Sequence, residues 1–86
     1  MPIFHFEVRT DTHVLNTNGV ELADHTAARV EAARRIGALL AEHADQIWSD
    51  QNWQMDVTDA NGLILYVLHV MATKAPATTD SRQNSN

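Results

Sequence analysis

DHTAARVEAARRIGALLAEHADQIW, residues 24–48, is the longest stretch of this chain that carries the period of an α-helix. Asp24 stands where an N-cap would accept hydrogen bonds from the first free backbone N–H groups. Glu31 precedes Arg35 by four positions, the favourable order for a helical ion pair. Gly37 adjoins the apolar face, which predicts close packing of the helix at that point. Steps of three or four residues place one apolar set on that face: Val30, Ala33, Ile36, Leu40, Ala44 and Ile47.

Strand patterns flank this helix on both sides. Ile3–Arg9 and residues 53–58 alternate apolar with polar side chains, the period of a half-buried strand. Residues 59–62 carry the Asp and Gly of a hairpin turn, and residues 63–71 are apolar almost throughout, as in a central strand. We therefore predict an α+β domain, with one long helix packed on a three-stranded, mostly antiparallel sheet in the order strand–helix–strand–strand. The last strand is expected to insert between the other two, and Val14-Leu15 is a candidate fourth strand.

The register of this hairpin has two solutions. A loop of two or four residues places Ile64, Tyr66, Leu68 and Val70 on the same face as Trp53, Met55 and Val57. A three-residue loop with a glycine bulge instead places Leu65, Val67 and His69 there. We favour the first solution, because it buries the larger set and keeps His69 out of the core.

Composition limits the size and the class of the protein. The 86 residues predict a single domain at residues 1–71, followed by a polar, disordered tail at residues 72–86. A formal charge of −5 provides no basic face for nucleic acid, and no apolar run reaches the length of a membrane span. The absence of cysteine excludes disulfides and thiolate sites. We expect a cytoplasmic protein that needs no cofactor.

Several short patterns together resemble a family of small, mostly alphaproteobacterial proteins classed as a domain of unknown function. They lie at the start of the chain, before the helix, inside the helix and in the hairpin. The segments are MPIFHF (residues 1–6), NGVELAD (18–24), AR (28–29) and VTDANG (57–62). The resemblance implies a cytoplasmic bacterial protein with a small α+β fold, and it carries over no activity and no catalytic residue.

Under the favoured register, the sheet face away from the helix carries an apolar surplus. Leu63, Leu65 and Val67 point to that side, and Ile3 of the first strand joins them. Exposed apolar patches usually mark interaction surfaces, and a body of this size has little core of its own. We therefore expect a non-enzymatic interaction module of unknown biological role, which forms a homodimer through the open face or an edge of its sheet.

Other functions stand as alternatives. His5 and Glu7 share one strand face and His69 lies on a neighbouring strand, so the three are candidate ligands in a metal-dependent or small-ligand enzyme. Exposed strand histidines are common, however, and the helical His-Glu-x-x-His spacing is absent. We therefore expect that these residues do not form a metal site. Trp48 and Trp53 flank the loop after the helix, where they either line a small pocket or cap the core. The order of elements is also similar to that of small antitoxin domains that cover a basic toxin, a likeness of architecture alone.

Overall fold

Five strands and three helices make up the part of the chain that the computed structural model describes, residues 1–79. Their bounds are β1 Ile3–Arg9, β2 Val14–Asn16, β3 Val20–Glu21, α1 His25–Glu42, α2 Gln46–Asp50, β4 Asn52–Thr58, β5 Ile64–Met71 and α3 Pro76–Thr79. The strands form one antiparallel sheet in the order β2-β1-β4-β5, and β3 pairs with the beginning of β1. The predicted α+β class is confirmed, and the candidate fourth strand is present as β2.

The prediction that the last strand is central is wrong. β4 occupies the centre, antiparallel to both β1 and β5, and β5 forms an edge. The reason lies before the helix, because β2 and β3 both run back along β1. The Leu22 N–H donates to the Pro2 carbonyl at 3.1 Å, which brings the chain back to the beginning of β1 before α1 starts. The helix then runs in the direction of β1, so β4 enters the sheet antiparallel to it.

α1 packs on the sheet through its small side chains. Its buried residues are spaced four apart: Ala28, Ala32 and Ile36. The two alanines let the helix approach the bulky Phe4 and Phe6 of β1, which belong to the same core. The prediction that Val30 belongs to the buried face is therefore wrong, since its side chain is 51% exposed. The predicted close packing at Gly37 is also wrong, because a Cβ there would meet no atom within 4 Å.

Local interactions fix the course of α1. Asp24 Oδ1 accepts from the Ala27 N–H at 2.8 Å, which confirms the predicted N-cap. Arg35 Nε donates to Glu31 Oε2 at 2.8 Å, which confirms the predicted ion pair. The helix ends at Glu42 rather than continuing to residue 48, and a turn at residues 43–45 leads into α2. The change of direction places Ile47 in the core.

A second contact fastens the beginning of α1 to the edge strand. The Tyr66 hydroxyl accepts from Arg29 Nη1 at 2.9 Å, and His25 Nδ1 lies 3.0 Å from the same oxygen. The Arg29 guanidinium also lies 5.0 Å from the centre of the Tyr66 ring, within the range of a cation–π contact. α1 is thus held over β5 as well as over β1.

The hairpin between β4 and β5 follows the favoured register over most of its length. The pairs on the helix side are Trp53 with Val70, Met55 with Leu68, and Val57 with Tyr66. Next to the turn, however, Thr58 pairs with Ile64, so Leu65 is an extra residue on β5. This bulge turns Leu65 toward the core and leaves Ile64 exposed on the other face. The predicted faces of Ile64 and Leu65 are therefore wrong.

The segment after β5 starts within the folded body. The Ala72 N–H donates to the Gln51 carbonyl at 2.9 Å, and Ala72 packs against the core. Residues 73–78 are exposed, and α3 forms a single turn within the predicted tail. The remainder of the predicted disordered tail, residues 80–86, lies outside the described residues.

Candidate functional site

β5 is an edge strand with an apolar surface. Its inner side pairs with β4, and no strand within residues 1–79 pairs with its outer side. Its eight residues include no lysine, arginine, aspartate, glutamate or proline. Ile64, Val67 and Met71 are each more than half exposed. Such an edge offers unpaired backbone groups and apolar side chains to a further strand.

The four residues predicted to form an interface do not share one patch. Val67 is 54% exposed in the middle of β5, on the face away from α1. Ile3 lies on the same face, but on β1, with β4 between the two strands. Leu63 is exposed in the hairpin loop, and Leu65 packs against the core instead of facing outward. Of the four, only Val67 lies on the exposed surface of the edge strand.

The centre of the open face is charged. Asp56 of β4 points away from α1 and is nevertheless only 2% exposed. Arg9 forms an ion pair with its carboxylate, and Gln54 Nε2 donates to its Oδ1 at 2.9 Å. The cross-strand neighbour of Asp56 on β1 is Glu7, which adds a second carboxylate. These groups divide the apolar side chains of the open face into separate parts.

The three candidate metal ligands do not come together. His5 and Glu7 lie on β1, whereas His69 lies on β5, beyond the central strand. His5 pairs with Thr58 and His69 with Gln54, so the two histidines lie at different levels along β4. Among residues 1–79, no group of three histidine, aspartate or glutamate side chains could hold a metal ion.

A cavity of about 240 Å³ opens at the opposite edge of the sheet, where β2 and the end of α1 meet α2. Val8, Leu15 and Leu39 form its apolar wall, and Asp50 and Trp53 are among its other lining residues. A second cavity, of about 250 Å³, shares the three apolar residues and continues between β2 and α1. Because the two cavities share three lining residues, they form one groove between β2 and α1, and Thr17 and Arg35 also line its second part.

Asp50 is the buried carboxyl of this groove, with a side chain only 3% exposed. Thr12 Oγ1 lies 3.2 Å from each carboxylate oxygen as a donor, and Gln46 Nε2 donates to Oδ2 at 3.2 Å. Burial raises the pKa of Asp50. Hydrogen bonds from Gln46, Thr10 and Thr12 outweigh that effect, and the charge of His13 adds to them, so the pKa lies below its ordinary value. The carboxylate is therefore ionised at neutral pH.

Trp53 lines the same cavity and also carries a buried, unpaired donor. Its side chain is 2% exposed, and its indole Nε1–H is buried with no hydrogen-bond partner within residues 1–79. Buried polar groups are nearly always paired, and an unsatisfied donor costs roughly 1–3 kcal/mol. The neighbouring Trp48 is 57% exposed and does not line the cavity.

Sequence patterns do not point to this groove as a whole. Asp50 stands in a polar stretch after the helix, where a solvated carboxylate is the ordinary expectation. Thr12, which donates to it, lies 38 positions earlier in the chain, so only the fold brings the two together. Of the two tryptophans, only Trp53 lines the cavity, and it also belongs to the core, so both predicted positions apply to it.

Comparison with known proteins identifies the family of this chain. A family model described as Domain of unknown function (DUF6894) matches residues 3–72, the span from β1 to the end of β5. The match confirms the resemblance that the short patterns predict. No curated protein and no solved structure matches the chain. Within the described residues, no helix has the length and apolar character needed to cross a membrane.

Proposed function

We propose that this chain, which belongs to the family described as Domain of unknown function (DUF6894), is a non-enzymatic interaction module. It pairs with a second copy of itself along β5. The edge position and the apolar sequence of β5 support this proposal most directly. Proteins usually protect edge strands with charges, proline or bulges. β5 carries a bulge only near its start, at Leu65, and residues 66–71 pair regularly with β4.

The edge fits a second copy better than the open face does. Asp56, Arg9 and Glu7 occupy the middle of that face, and dry contact with an identical face would bring these charges together. The outer side of β5 has no such group. Its backbone N–H and C=O groups can extend the sheet directly, which needs only a strand of similar length.

Two β5 strands can pair around a two-fold axis without placing like charges opposite each other. In an antiparallel pair, directly opposed residues lie on the same face of the sheet. A two-fold axis perpendicular to the sheet therefore places one residue of β5 opposite the same residue of the second copy. With the axis at Leu68, Val67 faces His69 of the second copy, and Tyr66 faces its Val70. This register lies within the regular part of β5.

Substitution of Val67 by lysine tests the proposal. Because Val67 is 54% exposed in the middle of the edge strand, Val67→Lys should fold normally and weaken self-association by about tenfold or more. Val30→Lys is the matched control, since Val30 is 51% exposed on α1. Sedimentation equilibrium at about 1–100 µM would compare both variants with the wild type, which we expect to be dimeric over that range.

A third variant separates the edge from the open face. Val14 is 55% exposed on β2, at the far end of the sheet order from β5, and it lies on the open face opposite its cross-strand partner Arg9. Val14→Lys should leave the dimer intact if β5 forms the interface, and should weaken it as much as Val67→Lys if the open face does. Hydrogen exchange gives an independent measurement, because the amides of β5 should be protected more strongly at high concentration. A monomer throughout the range would contradict the proposal.

A further inference from the structure

Asparagine precedes glycine at two exposed places within residues 1–79: Asn18-Gly19 between β2 and β3, and Asn61-Gly62 in the turn between β4 and β5. Asparagine followed by glycine is prone to deamidation, because no side chain shields the backbone nitrogen that attacks the asparagine amide. Both pairs have the same two residues, so a difference in their reactivity comes from the fold. β3 pairs with β1 on the side away from β4, so the dimer proposed along β5 leaves Asn18 accessible.

The Gly19 N–H is free. The Leu22 N–H donates to the Pro2 carbonyl at 3.1 Å, which makes this a hydrogen-bonded pair of the antiparallel ladder between β1 and β3. Bonded and unbonded positions alternate along such a ladder, so Val20 is bonded and the N–H of Gly19 points away from β1. Within residues 1–79, neither this N–H nor the side chain of Asn18 forms a hydrogen bond.

The Gly62 N–H, in contrast, is engaged. It donates to the Asp59 carbonyl at 3.0 Å and closes the hairpin turn. The Asn61 N–H donates to Asp59 Oδ1 at 2.9 Å, so the residue before the glycine is fixed as well. Attack by the Gly62 nitrogen therefore first requires this turn to open.

Close packing keeps glycine at position 19. A Cβ there would lie 2.6 Å from Ile3 Cγ2 and 3.0 Å from His5 Cε1, closer than such atoms approach in folded proteins. A larger residue would therefore push β3 away from β1. The fold thus requires the glycine that makes its neighbour Asn18 reactive.

We propose that Asn18 is a deamidation site and that its conversion to isoaspartate releases β3 from β1. The Gly19 nitrogen forms a bond to Asn18 Cγ, the bond from Cγ to Nδ2 breaks, and ammonia leaves with the Gly19 proton. The product is a cyclic succinimide. Water then opens the ring, with no oxidation or reduction. Cleavage at Cγ gives aspartate, and cleavage at the backbone carbonyl of residue 18 gives isoaspartate, in which the chain runs through Cβ and Cγ.

Isoaspartate adds a backbone atom to a short connection that is fixed at both ends. On one side, the N–H and the hydroxyl of Thr17 both donate to the Phe6 carbonyl, each at 3.2 Å. On the other side, Val20 pairs with Phe4 in a strand of only two residues. The longer connection does not fit between these anchors, and the two-residue strand β3 is the weaker of them.

Ageing of the folded protein at neutral pH and physiological temperature, followed by peptide mapping with mass spectrometry, tests the site. We expect Asn18 to deamidate about fivefold to tenfold faster than Asn61, the factor that corresponds to one intramolecular hydrogen bond. In denaturing guanidinium chloride the two rates should become equal, because the turn at Gly62 is then lost. Equal rates in the folded protein, or an Asn18 that stays intact, would overturn the proposal.

Hydrogen exchange tests the release of β3. The amides of Val20 and Leu22 should lose protection in the aged wild type. Asn18→Gln should prevent this loss, because glutamine would have to form a larger ring, whereas the matched control Asn61→Gln should age like the wild type. Fresh Asn18→Asp, which carries the charge on a normal backbone, should keep both amides protected. Loss of protection in aged Asn18→Gln or in fresh Asn18→Asp, or full protection in chains that contain isoaspartate, would overturn the proposed release.

Discussion

Gly37 lies on the exposed side of α1, where no neighbour requires the absence of a side chain. Glycine in a helix interior costs about 1 kcal/mol relative to alanine, because its backbone loses more freedom on folding. We therefore expect Gly37→Ala to raise the free energy of unfolding by about 0.5–1 kcal/mol. Urea denaturation followed by circular dichroism would measure the change, and a lower midpoint would contradict the prediction.

Gly62 provides the matched contrast to this variant. A Cβ at Gly62 would also meet no atom within 4 Å, but the backbone there has φ of +85°. The Gly62 N–H closes the hairpin turn by donating to the Asp59 carbonyl at 3.0 Å, so this conformation belongs to the turn. Gly62→Ala should lower the free energy of unfolding by about 1 kcal/mol. Opposite signs for the two variants would show that backbone conformation, and not space, decides the effect.

The contact between α1 and the sheet depends on small side chains. Ala28 is fully buried, whereas Ala33 of the same helix is exposed. We expect Ala28→Leu to destabilise the protein by about 1–3 kcal/mol, because the added bulk would push the helix away from β1 and β4. Ala33→Leu should change the stability by less than about 0.5 kcal/mol. Thermal unfolding would measure both, and equal effects would contradict the packing described for α1.

Elements with local causes could be predicted from the sequence, and their arrangement could not. Three features depend on residues close together in the chain: the strand period of β1, the N-cap at Asp24 and the hydrogen bond to the Asp59 carbonyl that closes the hairpin turn. The order of the strands depends on β3 returning to Pro2, a contact that no periodicity reveals. The bulge at Leu65 likewise shifts one residue without any glycine at that position to indicate it.

The groove shows the same limit for the candidate site. From its place after the helix, Trp53 is predicted either to line a pocket or to cap the core. Asp50 and Thr12 meet only because β2 and α2 reach the same edge of the sheet. The unpaired indole N–H depends on three-dimensional packing alone, since tryptophan usually finds a partner or solvent.

Within residues 1–79, Ala72 is the last residue that packs against the core. Residues 73–78 are exposed, so removing residues 73–86 should shift the melting temperature by no more than about one or two degrees. The truncated protein should also keep its oligomeric state, because the outer side of β5 is expected to contact a second copy and not the tail. A large loss of stability in differential scanning calorimetry would contradict both expectations.

β1 is translated before its central partner β4, which follows only after residues 10–51. His5 pairs with Thr58 and Arg9 with Gln54, so the middle of the sheet closes between distant parts of the chain. Such distant contacts form slowly, because the intervening loop must be ordered first. Phe4 and Phe6 therefore stay without their full set of core partners until β4 is made, and β1 is prone to aggregation during that interval. The sheet of residues 1–79 therefore closes only after β4 has been translated.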